Sequence, residues 1–385
     1  MPAPEADRTA PSGPATADRV RSVLRSLGPL CDPDGFVPFD RFMEVALYAE
    51  GLGYYAGDRS PTGPAGDFYT APQVHPLFGA TLGDRARAVH RALGERRPLR
   101  LVELGPGDGS LAAGLFAAFR EAGGAPDGTE YLLIERAPSL GRATLERLGE
   151  AADSAGVRVR LGTSVGGDGP FEGIVIANEL LDAQPCRRLR WTGREWTELG
   201  VEIDGAHLRP AERPLTSPVP PPALPSGPEP GTIVELSPVA EAIVREIADH
   251  LVGGVAIVVD YGAEEEELVR GHPRGTLAAV RGHRPVDDPL EAPGATDLSA
   301  FVNFSRVRSA ARRAGLVELA YSSQAEALGR WGFPARFEAA VRRTRSSEEE
   351  VRLRLAAKNL LFGFEGFRAL ELAARASAPA LRGLT

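Results

Sequence analysis

The sequence predicts an α/β protein, and three observations carry that reading. Residues 99–104 form a short, mostly apolar run (Leu99, Leu101, Val102, Leu104) that reads as a buried strand. The run ends in the glycine turn Gly105, Gly107, Gly109, and the helix-like stretch Ser110–Arg120 follows at once. Further apolar runs recur downstream and end in polar residues, at Glu135, Asn178 and Asp260. Strand, glycine turn and helix is how α/β proteins bring backbone close to a nucleotide-like ligand, with amide groups at a helix N-terminus.

Composition sets bounds. A chain of 385 residues can bury a large core, as one big domain or two smaller ones. Its hydrophobic content of 43% is that of a soluble protein, and 44 basic against 52 acidic residues give a net charge of −8, which argues against a nucleic-acid partner. No run of about 18 apolar residues occurs, so no membrane span is expected. The N-terminus has no apolar segment of the kind a signal peptide carries. Cys31 and Cys186 make neither a disulfide framework nor a metal cluster, so no metal is expected and a reducing cytoplasm is the default location.

Taken in order, residues 1–15 are Pro-, Ala- and Gly-rich and read as a disordered tail. Residues 17–30 and Phe39–Tyr48 read as amphipathic helices. Between Gly51 and Gln73 the chain is too glycine-rich for a helix and too aromatic for a linker. Its Tyr54 and Tyr55 suit either a pocket wall or a packed Ω-loop. Leu77–Leu93 reads as a helix leading into the central strand.

The glycine spacing is G-x-G-x-G. A dinucleotide fingerprint would place its third glycine at position 110, where Ser110 stands instead and is suited to cap the helix. Glu103, on the strand just before the turn, would repel a pyrophosphate but suits a ligand with an ammonium group. That favours S-adenosylmethionine over a nicotinamide dinucleotide. The second strand, Tyr131–Ile134, leads to Glu135, placed as an acid that holds ribose hydroxyls. Its distance from the glycine turn exceeds the usual ~20 residues, and the glycine-rich 123–128 loop accounts for the excess.

Val157–Leu161 alternates as a third strand. Phe171–Asn178 is a fourth, ending in Asn178-Glu179-Leu-Leu-Asp182. Polar residues at that end face the crevice where ligands bind in such sheets, although Asn178 and Asp182 would also serve as caps. Residues 186–208 read as added hairpins and 209–231 as a proline-rich connection. A helix begins near Glu235, and Gly254–Gly262 is a fifth, buried strand ending in Asp260. Gly275–Val280 and Val317–Tyr321 read as the sixth and seventh. Residues 334–377 read as mostly helical.

With these segments in view, the chain resembles the MidA family of S-adenosylmethionine-dependent methyltransferases, which includes a mitochondrial complex I assembly methyltransferase. The matching stretches include Gly51–Tyr55, Gly66–Thr70, Pro76–Gly79, Val102–Gly107, Ala177–Ala183, Glu235–Pro238, Asp260–Gly262, Gly275–Leu277 and Asp287–Leu290, in that order. The resemblance implies a Rossmann-like, seven-stranded class I methyltransferase sheet with an N-terminal helical region and inserted β hairpins. It also implies methyl transfer to a protein arginine in the mitochondrial member. Members usually carry Glu at Gln73, Arg at Asp108, and His and Asp near Phe301 and Asn303, so the acceptor here can differ from the family's.

The expected organisation is a tail (1–15), an N-terminal helical region with a cofactor-covering loop (16–95), a first core part (96–185), a β insertion with its proline-rich connection (186–231), a second core part (232–330) and a C-terminal helical region (331–385). S-adenosylmethionine is the expected cofactor. Asp67, Phe68 and Thr70 are expected to close over it. Glu103, Gly105, Gly107, Gly109, Glu135 and Asn178 are expected to hold it. Glu179 and Asp182 are the candidate acids for orienting or deprotonating an acceptor nitrogen, with His283 a secondary base. The function that follows is N-methylation of a protein or peptide side chain. A small-molecule or peptide methyltransferase of specialised metabolism and a non-catalytic assembly factor are the alternatives.

Overall fold

The computed structural model describes residues 14–56, 69–95, 98–205, 207–215 and 227–384. Its centre is a sheet whose main path has seven strands: β1 (Arg100–Leu104), β2 (Glu130–Ile134), β3 (Arg158–Gly162), β4 (Phe171–Asn178), β5 (Leu251–Ala263), β6 (Val317–Ser323) and β7 (Phe367–Ala373). Their order is β3-β2-β1-β4-β5-β7-β6, with the two-residue strand Val302–Asn303 added beside the end of β5. Strands β1 to β5 pair in parallel, and β7 runs antiparallel to both neighbours.

Both faces of the central strands are covered, which is why β4 and β5 are apolar at nearly every position. Leu101, Leu133, Ile176 and Ile257 point to one face, against the helices Leu77–Ala92, Ser110–Glu121 and Pro138–Ala155. Val102, Leu132, Val175 and Val258 point to the other, against Pro238–His250 and Phe304–Arg313. The alternation is the two-residue period of a strand. The chain runs outward from β1 to β3 and returns on the far side of β1 as β4, so the order reverses between β1 and β4. Ligands bind beyond the strand ends at such a reversal.

Two expectations about the sheet are corrected. The expected sixth strand lies elsewhere: Ala278–Arg281 joins Arg284–Pro285 and Asp297–Ser299 in a separate three-stranded sheet. The seventh core strand is Phe367–Ala373, inside the stretch read as helical. Its sequence hides the strand period. Leu370 and Leu372 face one core, but Ala369, Glu371 and Ala373 face the other, and two alanines around a glutamate read as helix formers. Glu371 is fully buried and paired with Arg85, which donates through Nε (3.1 Å) and Nη2. Trp331 Nε1 donates to its other oxygen at 3.0 Å, and Arg85 Nη1 reaches the carbonyl of Leu384 at 2.8 Å.

The hairpins expected after residue 186 are present as part of a five-stranded accessory sheet. Trp196–Asp204 pairs with His207–Pro214 along one side. Along the other it pairs first with Arg188–Trp191 and then with Phe36–Pro38 from the N-terminal region. Ile233–Leu236 completes the sheet beside Arg187–Trp191. Gly200 is required at the crossing with Phe36–Pro38, because a Cβ there would lie 2.3 Å from the carbonyl oxygen of Val37. The helix Phe39–Tyr48 packs Phe42, Met43, Ala46 and Leu47 beneath this sheet and carries Tyr48 to the crevice.

Candidate active site

A cavity of about 1000 Å³ opens at the carboxyl ends of β1, β2 and β4. The turn after β1 forms its floor. Gly105, Gly107 and Gly109 all have left-handed backbone (φ 64°, 53° and 79°), which side-chain-bearing residues seldom adopt. Gly105 and Gly107 line the cavity, as expected. Gly109 does not. A Cβ there would meet Thr144 Cγ2 at 3.0 Å and Leu148 at 3.2 Å, so this glycine lets two helices pack and is corrected from cofactor contact to packing. Ser110 is the first residue of its helix rather than its cap. The carboxylate of Asp108 accepts the Ser110 N–H at 3.0 Å. The second oxygen of Asp108 accepts from Gln73 Nε2 at 2.9 Å, and Gln73 Oε1 accepts the Thr70 N–H at 3.0 Å. Thr70 lines the cavity. Asp67 and Phe68 lie outside the described residues.

Glu103 sits deep in the floor, 2% exposed, and accepts a 2.8 Å hydrogen bond from the hydroxyl of the buried Tyr131. Burial pushes its carboxyl up to about 7, with Tyr131 opposing and Asp108 adding. Glu135 follows β2 and faces the cavity. One of its oxygens accepts the Ala137 N–H at 3.0 Å, and burial holds its carboxyl above the ordinary range.

The end of β4 supplies the second acidic wall. Glu179 has φ 51°, a strained conformation for a residue with a side chain. Its N–H bonds Val259 O at 2.8 Å. Its carboxylate oxygen accepts from Ala71 N–H at 2.9 Å and Asn178 Nδ2 at 3.2 Å. Loss of solvent contact pushes the Glu179 carboxyl up to about 8, and that of the neighbouring, half-buried Asp182 up to about 6. Beneath them the fully buried Asp260 accepts the N–H groups of Leu180 (3.0 Å), Leu181 (2.7 Å) and Tyr261 (2.8 Å), which fixes the loop that bears both acids. Asn178 lines the same wall, and its buried Oδ1 has no hydrogen-bond partner.

His283 is corrected as a candidate base. It is exposed in the turn between Arg281 and Arg284, and it is not among the residues that line the cavity. Several lining residues were not expected. Tyr48 stacks on Tyr55 (5.5 Å between centroids), Arg136 lies 4.1 Å over the Tyr48 ring and pairs with Glu44, and Asp297, Tyr261, Phe364 and Phe367 complete the rim. Tyr55 is a wall residue, while Tyr54 packs edge-on behind it.

Among the described lining residues, eight carboxylate side chains face two guanidiniums. Glycine backbone under open space, an unpaired buried acceptor and excess negative charge fit a donor-rich, cationic ligand. S-adenosylmethionine, with its ammonium, sulfonium and ribose hydroxyls, is such a ligand.

Comparison with known proteins agrees. A family model of S-adenosyl-L-methionine-dependent methyltransferases matches residues 81–322. The zebrafish (Danio rerio) mitochondrial protein arginine methyltransferase NDUFAF7 is 31% identical over 76% of this chain and 72% of its own length. The human protein of the same name is 28% identical over 76% and 69%. A solved protein from Burkholderia thailandensis with S-adenosyl-homocysteine bound superposes with a TM-score of 0.84 at 30% identity, over 97% of this chain and 98% of that one.

These relatives overturn the cytoplasmic expectation, since those from zebrafish, fly and human are all named as mitochondrial. Two free thiols separate oxidising from reducing surroundings but not one reducing compartment from another. By fold, cavity and kinship alike, the chain belongs to the MidA-like family of S-adenosylmethionine-dependent methyltransferases.

Proposed function

We propose that the chain methylates a nitrogen of a guanidinium-type side chain in a protein. The observation that carries this is the pair Glu179 and Asp182, two half-buried acids held on one strained loop above the glycine turn. The activity in the names of the relatives supports a protein arginine as the acceptor.

When bound, S-adenosylmethionine supplies an electrophilic methyl group. In this reading Glu103 and Asn178 hold the amino-acid end of the cofactor, Glu135 holds the ribose, and Gly105 and Gly107 allow close backbone approach. Thr70 borders the same space. A guanidinium must lose a proton before or as its nitrogen is methylated. Asp182, ionised at neutral pH, orients the acceptor, and Glu179, whose carboxyl is pushed up to about 8, takes the proton in its ionised form, which it reaches as pH approaches that value. Tyr48 on one side and Phe364 and Phe367 on the other give this space apolar walls.

The test is transfer of an isotopically labelled methyl group in an extract of the native cell, with purified enzyme and labelled cofactor. Label on arginine side chains of captured proteins is the expected result. Label found on free metabolites alone would overturn the protein-acceptor reading.

A further inference from the structure

Beside Asp182 the cavity runs into a recess built by segments far apart in the chain. Tyr48 ends the helix Phe39–Tyr48, Tyr55 stacks on it, and Asp297 opens the strand Asp297–Ser299 of the three-stranded sheet. All three line the cavity, and Asp297 is only 3% exposed. The parts are tied to one peptide. The Tyr48 hydroxyl donates to Ala183 O at 2.9 Å, and Ala300 N–H donates to Asp182 O at 2.9 Å. The loop that bears Asp182 is therefore gripped from the tyrosine side and from the Asp297 side. Burial holds the phenols of Tyr48 and Tyr55 protonated, with Arg136 opposing at Tyr48 and the charges of Asp297 and Asp182 adding at both.

A guanidinium presents five N–H donors in a planar fork and needs more than one carboxylate. Glu179 already gives one oxygen to Ala71 and Asn178. At Tyr48 itself Arg136 rests on the ring and pairs with Glu44, so aromatic face plus carboxylate already receives a guanidinium at the edge of this recess.

We propose that Tyr48, Tyr55, Asp182 and Asp297 form the head-group recess for the acceptor, with Asp297 as the positioning carboxylate that selects a planar guanidinium over an ammonium. The inference rests on the guanidinium reading above and assigns its specificity to a residue outside the β4 loop. Asp297 takes no proton in the reaction. It fixes the plane of the fork while the acids of the β4 loop act on the reacting nitrogen.

The test uses the full chain saturated with S-adenosyl-homocysteine and two probes, ethylguanidinium and ethylammonium, titrated by ligand-observed NMR. Wild type should bind the guanidinium more tightly than the ammonium. Asp297→Asn should weaken the guanidinium by about tenfold or more and erase the preference. Asp297→Glu, which keeps the charge, should retain most of it, and affinity for S-adenosyl-homocysteine should be unchanged in both. Undiminished guanidinium binding by Asp297→Asn overturns the assignment while leaving the guanidinium reading in place. Equal loss in both variants also overturns it, because the role would then be structural. Wild type that binds neither probe but labels protein arginine refutes the recess alone. Wild type that binds only the ammonium refutes both.

Discussion

The carboxamide of Gln73 donates a 2.9 Å hydrogen bond to Asp108, tying the short helix Ala71–Val74 to the glycine turn. The resemblance places Glu and Arg at these two positions in other family members. Here a neutral donor and an acid make the bond. Gln73→Glu alone should set two carboxylates together, cost on the order of 1 kcal/mol and weaken S-adenosylmethionine binding. Adding Asp108→Arg should restore much of both. Thermal melts and calorimetry on the double-mutant cycle measure it, and additive losses would show that the two side chains do not cooperate.

Gly107 and Gly109 should separate by substitution. Gly107→Val puts a β-branched residue at φ 53° in the cavity floor and should weaken cofactor binding at least about tenfold. Gly109→Ala should lower the melting temperature, because its Cβ meets Thr144 and Leu148, while any chain that remains folded binds nearly as wild type does. Similar binding losses at both positions would contradict the division.

Glu179→Gln and Asp182→Asn should each keep cofactor affinity and lower turnover by roughly 10²–10⁴-fold. Turnover should rise with pH between about 6 and 8 as the two acids ionise. Stability should move oppositely. Burial raises the folded-state carboxyls of Glu103, Glu179 and Asp182 to about 7, 8 and 6, above the ordinary range, so the native chain keeps protons that the unfolded chain releases. Their stabilising contribution is full below about pH 4 and is lost as pH rises through those values. The melting temperature of the ligand-free enzyme should therefore fall from about pH 4 to about pH 8, and less steeply in Glu179→Gln. A fall of unchanged steepness in that variant would refute the assignment.

Glu371→Ala leaves the Arg85 guanidinium buried without its carboxylate and should destabilise by about 3–5 kcal/mol. Denaturant titration measures the loss. A change below about 1 kcal/mol would mean that water or the Leu384 carbonyl replaces the pair.

The central strands were legible because a strand covered on both faces writes its burial into consecutive residues, as Val102, Val175 and Val258 show. Phe367–Ala373 was not, because its polar core residue is neutralised by Arg85, which lies far away in sequence. The identity of the cofactor was legible for a related reason. Glycine turn, strand-end acids and ligand all depend on local backbone. Asp297 and Tyr48 carried no such signal, since only tertiary pairing brings them beside Asp182. His283 misled because residue type suggested chemistry that its position in an exposed turn does not support.

The accessory sheet has a consequence for how the chain is made. Its strand Phe36–Pro38 leaves the ribosome early, yet its partner residues, Gly200 to Glu202, emerge only after four strands of the central sheet. Until then the apolar Phe36 and Val37 wait without a ladder, so nascent chains should need protection against association through that edge. Pairing with Gly200 to Glu202 is what retires the hazard. A fragment trimmed to residues 81–322 would keep the waiting partner and discard the early strand, along with β7. It should be recovered in aggregates rather than as a minimal enzyme.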